Sequence, residues 1–165
     1  MKLRVNFWTA IVVLLYLSSC MQDYPNPWDV AKKVKVNASI DGMSQAGIVK
    51  TRTVDNTWTN GDAIGIFMKK SSSALGLPAL AENARYITSG TSAFVADAAN
   101  EMRFPYDGSK VDFIAYYPHT NNLSGLKYQV DVSDQSNLSA IDLLYSNNVT
   151  AVDSSASAID LTFRH

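Results

Sequence analysis

Alternation with a period of two is the feature that most limits what this chain can fold into. Val34, Val36, Ala38 and Ile40 point one way and Lys35, Asn37 and Ser39 the other. Tyr128, Val130 and Val132 alternate with Lys127, Gln129 and Asp131, and Ile159, Leu161 and Phe163 with Asp160, Thr162 and Arg164. Successive side chains of a strand leave opposite faces, so each run predicts a strand with one buried and one wet face. A helix would need a repeat near 3.6 residues, which the chain after residue 30 lacks.

Two further runs, AIGIFM (63–68) and VDFIAYYP (111–118), are apolar on both faces and predict central strands. Gly65, inside the first, predicts close backbone packing at that point. Residues 103–113 predict a hairpin, with Asp107-Gly108 able to supply positive φ angles and Pro105 marking the first arm as an edge or a strand end. Between the runs lie Ser-, Asn- and Ala-rich loops, of which residues 69–84 carry enough Ala and Leu to predict a helical turn. About eight strands at this spacing predict an all-β fold, a β-sandwich with Greek-key connections. The run 159–165 stops in mid-pattern, which predicts a sheet edge around Phe163 open to a partner and a chain continuing beyond His165.

The first 30 residues follow different rules. Lys2 and Arg4 precede an apolar stretch, Phe7 to Leu17, broken only by Thr9. That is short of the roughly 20 residues needed to cross a bilayer and fits the apolar centre of a secretory signal. Ser18 and Ser19 follow, then Cys20, the only cysteine. Leu17-Ser18-Ser19-Cys20 resembles the lipobox of bacterial lipoproteins. The resemblance implies lipid attachment at the Cys20 sulfur, signal-peptidase cleavage between Ser19 and Cys20, and acylation of the new amino terminus. The chemistry requires a thiolate nucleophile. A single acyl chain anchors only marginally, at about 0.8 kcal/mol per CH₂, whereas three on one residue hold firmly. With no second cysteine, Cys20 has no internal disulfide to make.

These boundaries predict a signal peptide over 1–19, a Pro- and Asn-bearing tether over 20–30, and one β-domain over 31–165. Removing 19 of the 165 residues leaves 146, a one-domain length. A formal net charge of -1 gives no electrostatic case for nucleic acid.

Catalytic and cofactor signatures are missing from the sequence. Its two histidines, His119 and His165, form no metal pattern with a cysteine and no nucleophile–base pair, and the carboxylates of Asp107, Asp112, Asp131 and Asp134 are scattered. The expectation is a non-enzyme without cofactor or metal. Trp58 predicts packing across a strand. The alternative is that Trp58, Tyr116 or Tyr117 forms an aromatic platform for a sugar, as a surface glycan-binding lipoprotein serving polysaccharide uptake would require. Four Asn-x-Ser/Thr triplets, at Asn37, Asn122, Asn137 and Asn148, read as polar strand and turn positions.

Several stretches together resemble the fimbrillin family of Bacteroidota, including its Mfa-like lipoproteins. They are TRTVDNTWTNGDAIGIFM (51–68), VDFIAYYP (111–118), DLLYSNN (142–148) and IDLTFRH (159–165). The resemblance implies two transthyretin-like β-sandwich domains, of which this chain holds the N-terminal one. It also implies an outer-membrane surface lipoprotein that acts as anchor, tip or subunit of a pilus, or as an adhesin toward host or microbial surfaces. In polymerising members an arginine-specific protease removes the first strand, and a strand from another subunit fills the groove. Carried onto this sequence, the removable strand is Lys33 to Ile40 and the cut follows Arg52. The physics is β-augmentation, in which backbone bonds give affinity and alternate side-chain pockets give specificity.

Overall fold

The computed structural model describes residues 31–41, 57–130, 133 and 141–165. The residues from Ala31 onward form one compact unit. Seven strands make it up: β1 (Val36–Ile40), β2 (Asn60–Lys70), β3 (Ala81–Ser89), β4 (Ala93–Ala96), β5 (Val111–Tyr117), β6 (Leu144–Ser146) and β7 (Ile159–Phe163). Among the described residues the only helical element is a 3₁₀ turn at Ala98–Asn100, so the fold is all-β as the alternation predicts.

All seven strands belong to one sheet in the order β6-β5-β2-β3-β4-β1-β7. Every pairing is antiparallel except β1 with β7, which is parallel. The sheet curls until its ends meet: Tyr145 and Arg164 exchange backbone hydrogen bonds of 2.9 and 3.0 Å across β6 and β7. The two layers of the expected sandwich are thus halves of one sheet nearly closed into a barrel, which leaves little free edge.

The inward faces fill the interior. Ile64, Ile66 and Met68 of β2, Tyr86 of β3, Phe113 and Ala115 of β5, Leu144 of β6, and Ile159, Leu161 and Phe163 of β7 are all buried. Each large side chain contributes about 1.5–3 kcal/mol when fully removed from water. β2 is central, as its two-sided apolarity predicts. Its outer face, at Gly65 and Phe67, packs beneath the Tyr116 ring. A Cβ on Gly65 would run into that ring, so the glycine makes room for a side chain and not, as expected, for a close backbone.

Four expectations require correction. The Asp107-Gly108 turn forms, with Gly108 at φ +72°, but its arms do not pair with each other. Val34 N–H donates to Met102 O (2.9 Å) and Phe104 N–H to Lys32 O (3.0 Å), so the first arm belongs to the β1 segment. Pro105 has no N–H to continue a ladder, and the Asp107 carboxylate accepts from Ser109 N–H and Oγ–H, closing a local turn instead. Residues 128–130 are not a strand; the Tyr128 ring packs edge-on against Tyr116 at 5.5 Å, and 131–132 lie outside the described residues. Residues 69–84 form no helical turn: turns after β2 lead directly into β3. Phe163 is fully buried instead of lying at an open edge, because the sheet curls over it.

Candidate functional site

The segment 31–41 lies inside the sheet. β1 is flanked on one side by β4, with Val36 opposite Phe94, and on the other by β7, with Val36 to Ile40 opposite Ile159 to Phe163. Alternation then sorts the side chains. Val34, Val36, Ala38 and Ile40 all point inward and are no more than 9% exposed, while Lys35, Ser39 and Asp41 face water. All four inward positions are those expected from the sequence.

Backbone bonds follow the same two-sided scheme. Odd-numbered residues face β7: Ile159 N–H donates to Lys35 O (2.8 Å) and Asp41 N–H to Phe163 O (2.7 Å). Even-numbered residues face β4 and the Met102 arm: Val34 N–H donates to Met102 O and Ala38 N–H to Ser92 O (2.8 Å). Polar contacts finish the rim. Lys32 Nζ donates to the carbonyls of Ser154 (2.9 Å) and Ala156 (2.7 Å), and Asn37 Nδ2 to Asp160 Oδ1 (2.9 Å). Lys33 and Arg103 share Glu101 at 2.8 and 3.1 Å. Exposed pairs of this kind contribute at most about 1 kcal/mol each. Burial of three branched side chains, at about 1.5–3 kcal/mol each, therefore dominates the grip on the strand. Emptying the slot would forfeit much of the roughly 5–15 kcal/mol by which a domain is stable, so the sheet depends on having a strand in this place.

Trp58 roofs the middle of the slot. It is buried, and its Nε1–H donates to Ala38 O at 2.8 Å. Phe94, Tyr117 and Phe163 surround it edge-on at 5.1, 5.4 and 5.4 Å. Asp62 holds the turn that presents it, accepting from Thr59 N–H (2.7 Å) at one oxygen and from Tyr117 OH (3.1 Å) at the other. Burial, and then the Asp62 carboxylate, push the Tyr117 phenol up to about 12. At the other end of the slot the Tyr86 hydroxyl accepts from Met102 N–H (3.1 Å) and lies 3.5 Å from Val34 O, the outer limit of hydrogen bonding. Burial raises the Tyr86 phenol above its ordinary value, so it stays neutral.

Two of the three candidate platform residues are withdrawn from the surface. Trp58 and Tyr117 are in the core, and Tyr116 is half-buried between Tyr128, His119 and Phe67, with its hydroxyl bonded to Asn83 and Thr120. Edge-on packing of a tryptophan among three rings stabilises more than exposure would, which is why Trp58 is not offered to a sugar. His119 stacks on Tyr116 in the loop after β5, its imidazole pKa lowered by burial and then by Arg85. Among the described residues no group of three or more His, Cys, Asp or Glu is placed to hold a metal. Ser19, Cys20 and Arg52 lie outside the described residues; Arg52 falls, in sequence, between β1 and β2.

Comparison with known proteins identifies the family. Residues 51–165 match a family profile described as Fimbrillin-like. The chain belongs to the fimbrillin-like family. Among its relatives is a protein of Bacteroides uniformis provisionally named fimbrium subunit Fim1C. That protein is 33% identical over 162 residues, covering 94% of this chain and 50% of its own length. A crystal structure from Bacteroides uniformis, provisionally described as a cell adhesion protein, superposes with a TM-score of 0.61 at 31% identity. The match covers 81% of this chain and 47% of that one. A second, from Bacteroides ovatus and described in the same terms, gives 0.60 at 20% identity over 82% and 52%, a likeness of fold. This fimbrillin-like chain spans about half the length of the relatives it matches.

Proposed function

We propose that this chain is a structural component of a fimbria, as anchor, tip or subunit, or a cell-surface adhesin, held to the outer membrane by lipid on Cys20. Membership of the fimbrillin-like family and the names of its relatives support the structural role. The Leu17-Ser18-Ser19-Cys20 pattern supports the anchor, with residues 1–19 removed and 20–30 as tether.

The observation that carries the reading is β1 itself. It is an interior strand with three inward side chains buried, a fourth, Val34, buried just before it, and Arg52 follows it in sequence before β2 begins. A cut after Arg52 would leave β1 held by non-covalent contacts alone. Another subunit's strand could then take its place by main-chain pairing on both sides, with pockets reading alternate residues. Partners are therefore other fimbrial subunits and the membrane.

The test is done in the native host. Wild-type chain, Cys20→Ala and Arg52→Ala are followed in sheared surface filaments, outer membranes and soluble fractions, with intact mass of each form. The wild type should be found in filaments or outer membrane, carrying the mass of an acylated Cys20. Cys20→Ala should lose the acyl mass and leave the membrane. An unacylated wild type confined to soluble fractions would overturn the proposal.

A further inference from the structure

Alternation decides which face of an incoming strand turns inward, but it does not decide register. A slip of one residue would turn Lys35, Asn37 and Ser39 into the core and is excluded. A slip of two keeps apolar residues inward and is permitted by alternation alone. Something else must separate those registers.

The position of Ala38 does so. Even-numbered residues of β1 face β4, and Ala38 N–H finds Ser92 O. β4 begins only at Ala93, and before it the chain turns away: Thr88 Oγ1 donates to Thr91 O (2.6 Å) and accepts from Gly90 and Thr91 N–H. The Ala38 carbonyl thus lies just past the end of its ladder. It is Trp58 Nε1–H that takes the place of the missing backbone donor. A buried carbonyl without a donor is costly, and so is a buried indole N–H without an acceptor. Trp58 is itself fixed, because three rings and the Asp62-held turn leave it no other place. The indole therefore lies against the strand at a set point, where the residue is 1% exposed and carries only a methyl group. Two residues to either side the side chains are Val36 and Ile40.

We propose that Trp58 sets the register of the strand held in this groove. The partner it fits is an extended strand of another polypeptide with Ala, Gly or Ser at the Ala38 position and larger apolar residues two places before and after. A two-residue slip would put a branched side chain under the indole. The proposal rests on the reading of the slot as a strand acceptor.

The experiment places a site-specific protease sequence between residues 43 and 50 of the full chain, cuts it, and challenges the product with fluorescent peptides of residues 31–41. Exchange is read by anisotropy and by mass. The unmodified peptide and its Ala38→Gly form should bind within a few-fold of one another. The Ala38→Leu peptide should bind at least tenfold more weakly, about 1.4 kcal/mol. A Trp58→Phe body should narrow the gap between the unmodified and Ala38→Leu peptides, since the smaller ring and lost N–H relax the constraint. The peptide comparison on the unaltered body stands even if Trp58→Phe does not fold. Equal affinity of the unmodified and Ala38→Leu peptides would overturn the register proposal while leaving the slot an acceptor. Failure of every peptide to exchange would instead overturn the acceptor reading, and the register proposal with it.

Discussion

Thr162 and Asn148 are joined as neighbouring strands are joined, although one partner is a side chain. Thr162 N–H donates to Asn148 Oδ1 at 2.9 Å, while Asn148 Nδ2 donates back to Asp160 O at 2.9 Å. Odd-numbered residues of β7 are committed to β1, so Asp160, Thr162 and Arg164 face the seam where the sheet closes. Tyr145 satisfies Arg164 and Asn148 satisfies the next groups along. Ser146 Oγ–H also donates to Asn148 Oδ1 (2.7 Å), so Asn148→Ala should cost about 1.5–4.5 kcal/mol, three hydrogen bonds at about 0.5–1.5 each. Asn148→Asp, which keeps the acceptor and loses the donor, should fall between. Urea denaturation of the three proteins checks the order, and equal stabilities would remove Asn148 from the seam.

A charged pair ties the outer face of β2 to β5. Lys69 Nζ lies 2.5 Å from Asp112 Oδ2, and Ala151 N–H donates to Asp112 Oδ1 at 2.8 Å. Burial alone would raise the Asp112 carboxyl, but hydrogen bonds from Lys69, Ala151 and Ser71 together with the Lys69 charge outweigh it and hold it at about 2, below the ordinary 3.8. A carboxyl depressed by folding stabilises above its unfolded value and loses that contribution as pH falls through its folded one. The protein should lose on the order of 2 kcal/mol between about pH 4 and pH 2 from this group. Asp112→Asn should flatten that part of the profile in urea melts taken across the range.

Tyr117 behaves oppositely at high pH. Its phenol is raised to about 12 by burial and the Asp62 carboxylate, so its stabilising contribution is complete below about pH 10 and is lost as pH rises toward 12. Tyr117→Phe keeps the ring against Trp58 and removes the bond to Asp62. The expected loss is about 1 kcal/mol at neutral pH, with a weaker decline above about pH 10. Tryptophan fluorescence during alkaline unfolding reports both.

Gly65→Ala tests the close packing on the outer face. The new Cβ would run into the Tyr116 ring and Asn83 Oδ1. Tyr116 must move off its hydrogen bond to Asn83, at an expected cost of about 1–3 kcal/mol. Thermal unfolding measures the loss, and near-ultraviolet circular dichroism should show the displaced tyrosine. An unchanged melting temperature would mean the outer aromatic cluster adapts freely.

Four of the seven strands are plain in the sequence because their inward residues are branched or aromatic. Val36 and Ile40, Ile64 and Ile66, Phe113, and Ile159 to Phe163 announce β1, β2, β5 and β7. β3 is hidden because its inward residues Ala84, Tyr86 and Thr88 include only one large apolar side chain, and the alternating positions Asn83, Arg85 and Ile87 mix polar with apolar. β4 is only four residues long. The alternation around Tyr128 misleads for the opposite reason: a ring can bury itself against Tyr116 without any strand beneath it. Within the groove, the inward set of β1 is legible from period two. The parts played by Trp58 and Asn148 are not, since each substitutes for a backbone group where a ladder ends, and where a ladder ends is a property of the assembled sheet. Ser19, Cys20 and Arg52 remain readings of the sequence.

Parallel pairing gives β1 and β7 a mechanical direction. Their chains run the same way, Val36 beside Ile159 and Ile40 beside Phe163. Tension applied at Ala31 and at His165 would drag the two strands past each other lengthwise, loading all the bonds between them at once. Tension applied across the pair would peel those bonds in turn. The same few residues should thus resist hard along one axis and yield along another, and atomic-force pulling from the two ends of the domain would feel the difference.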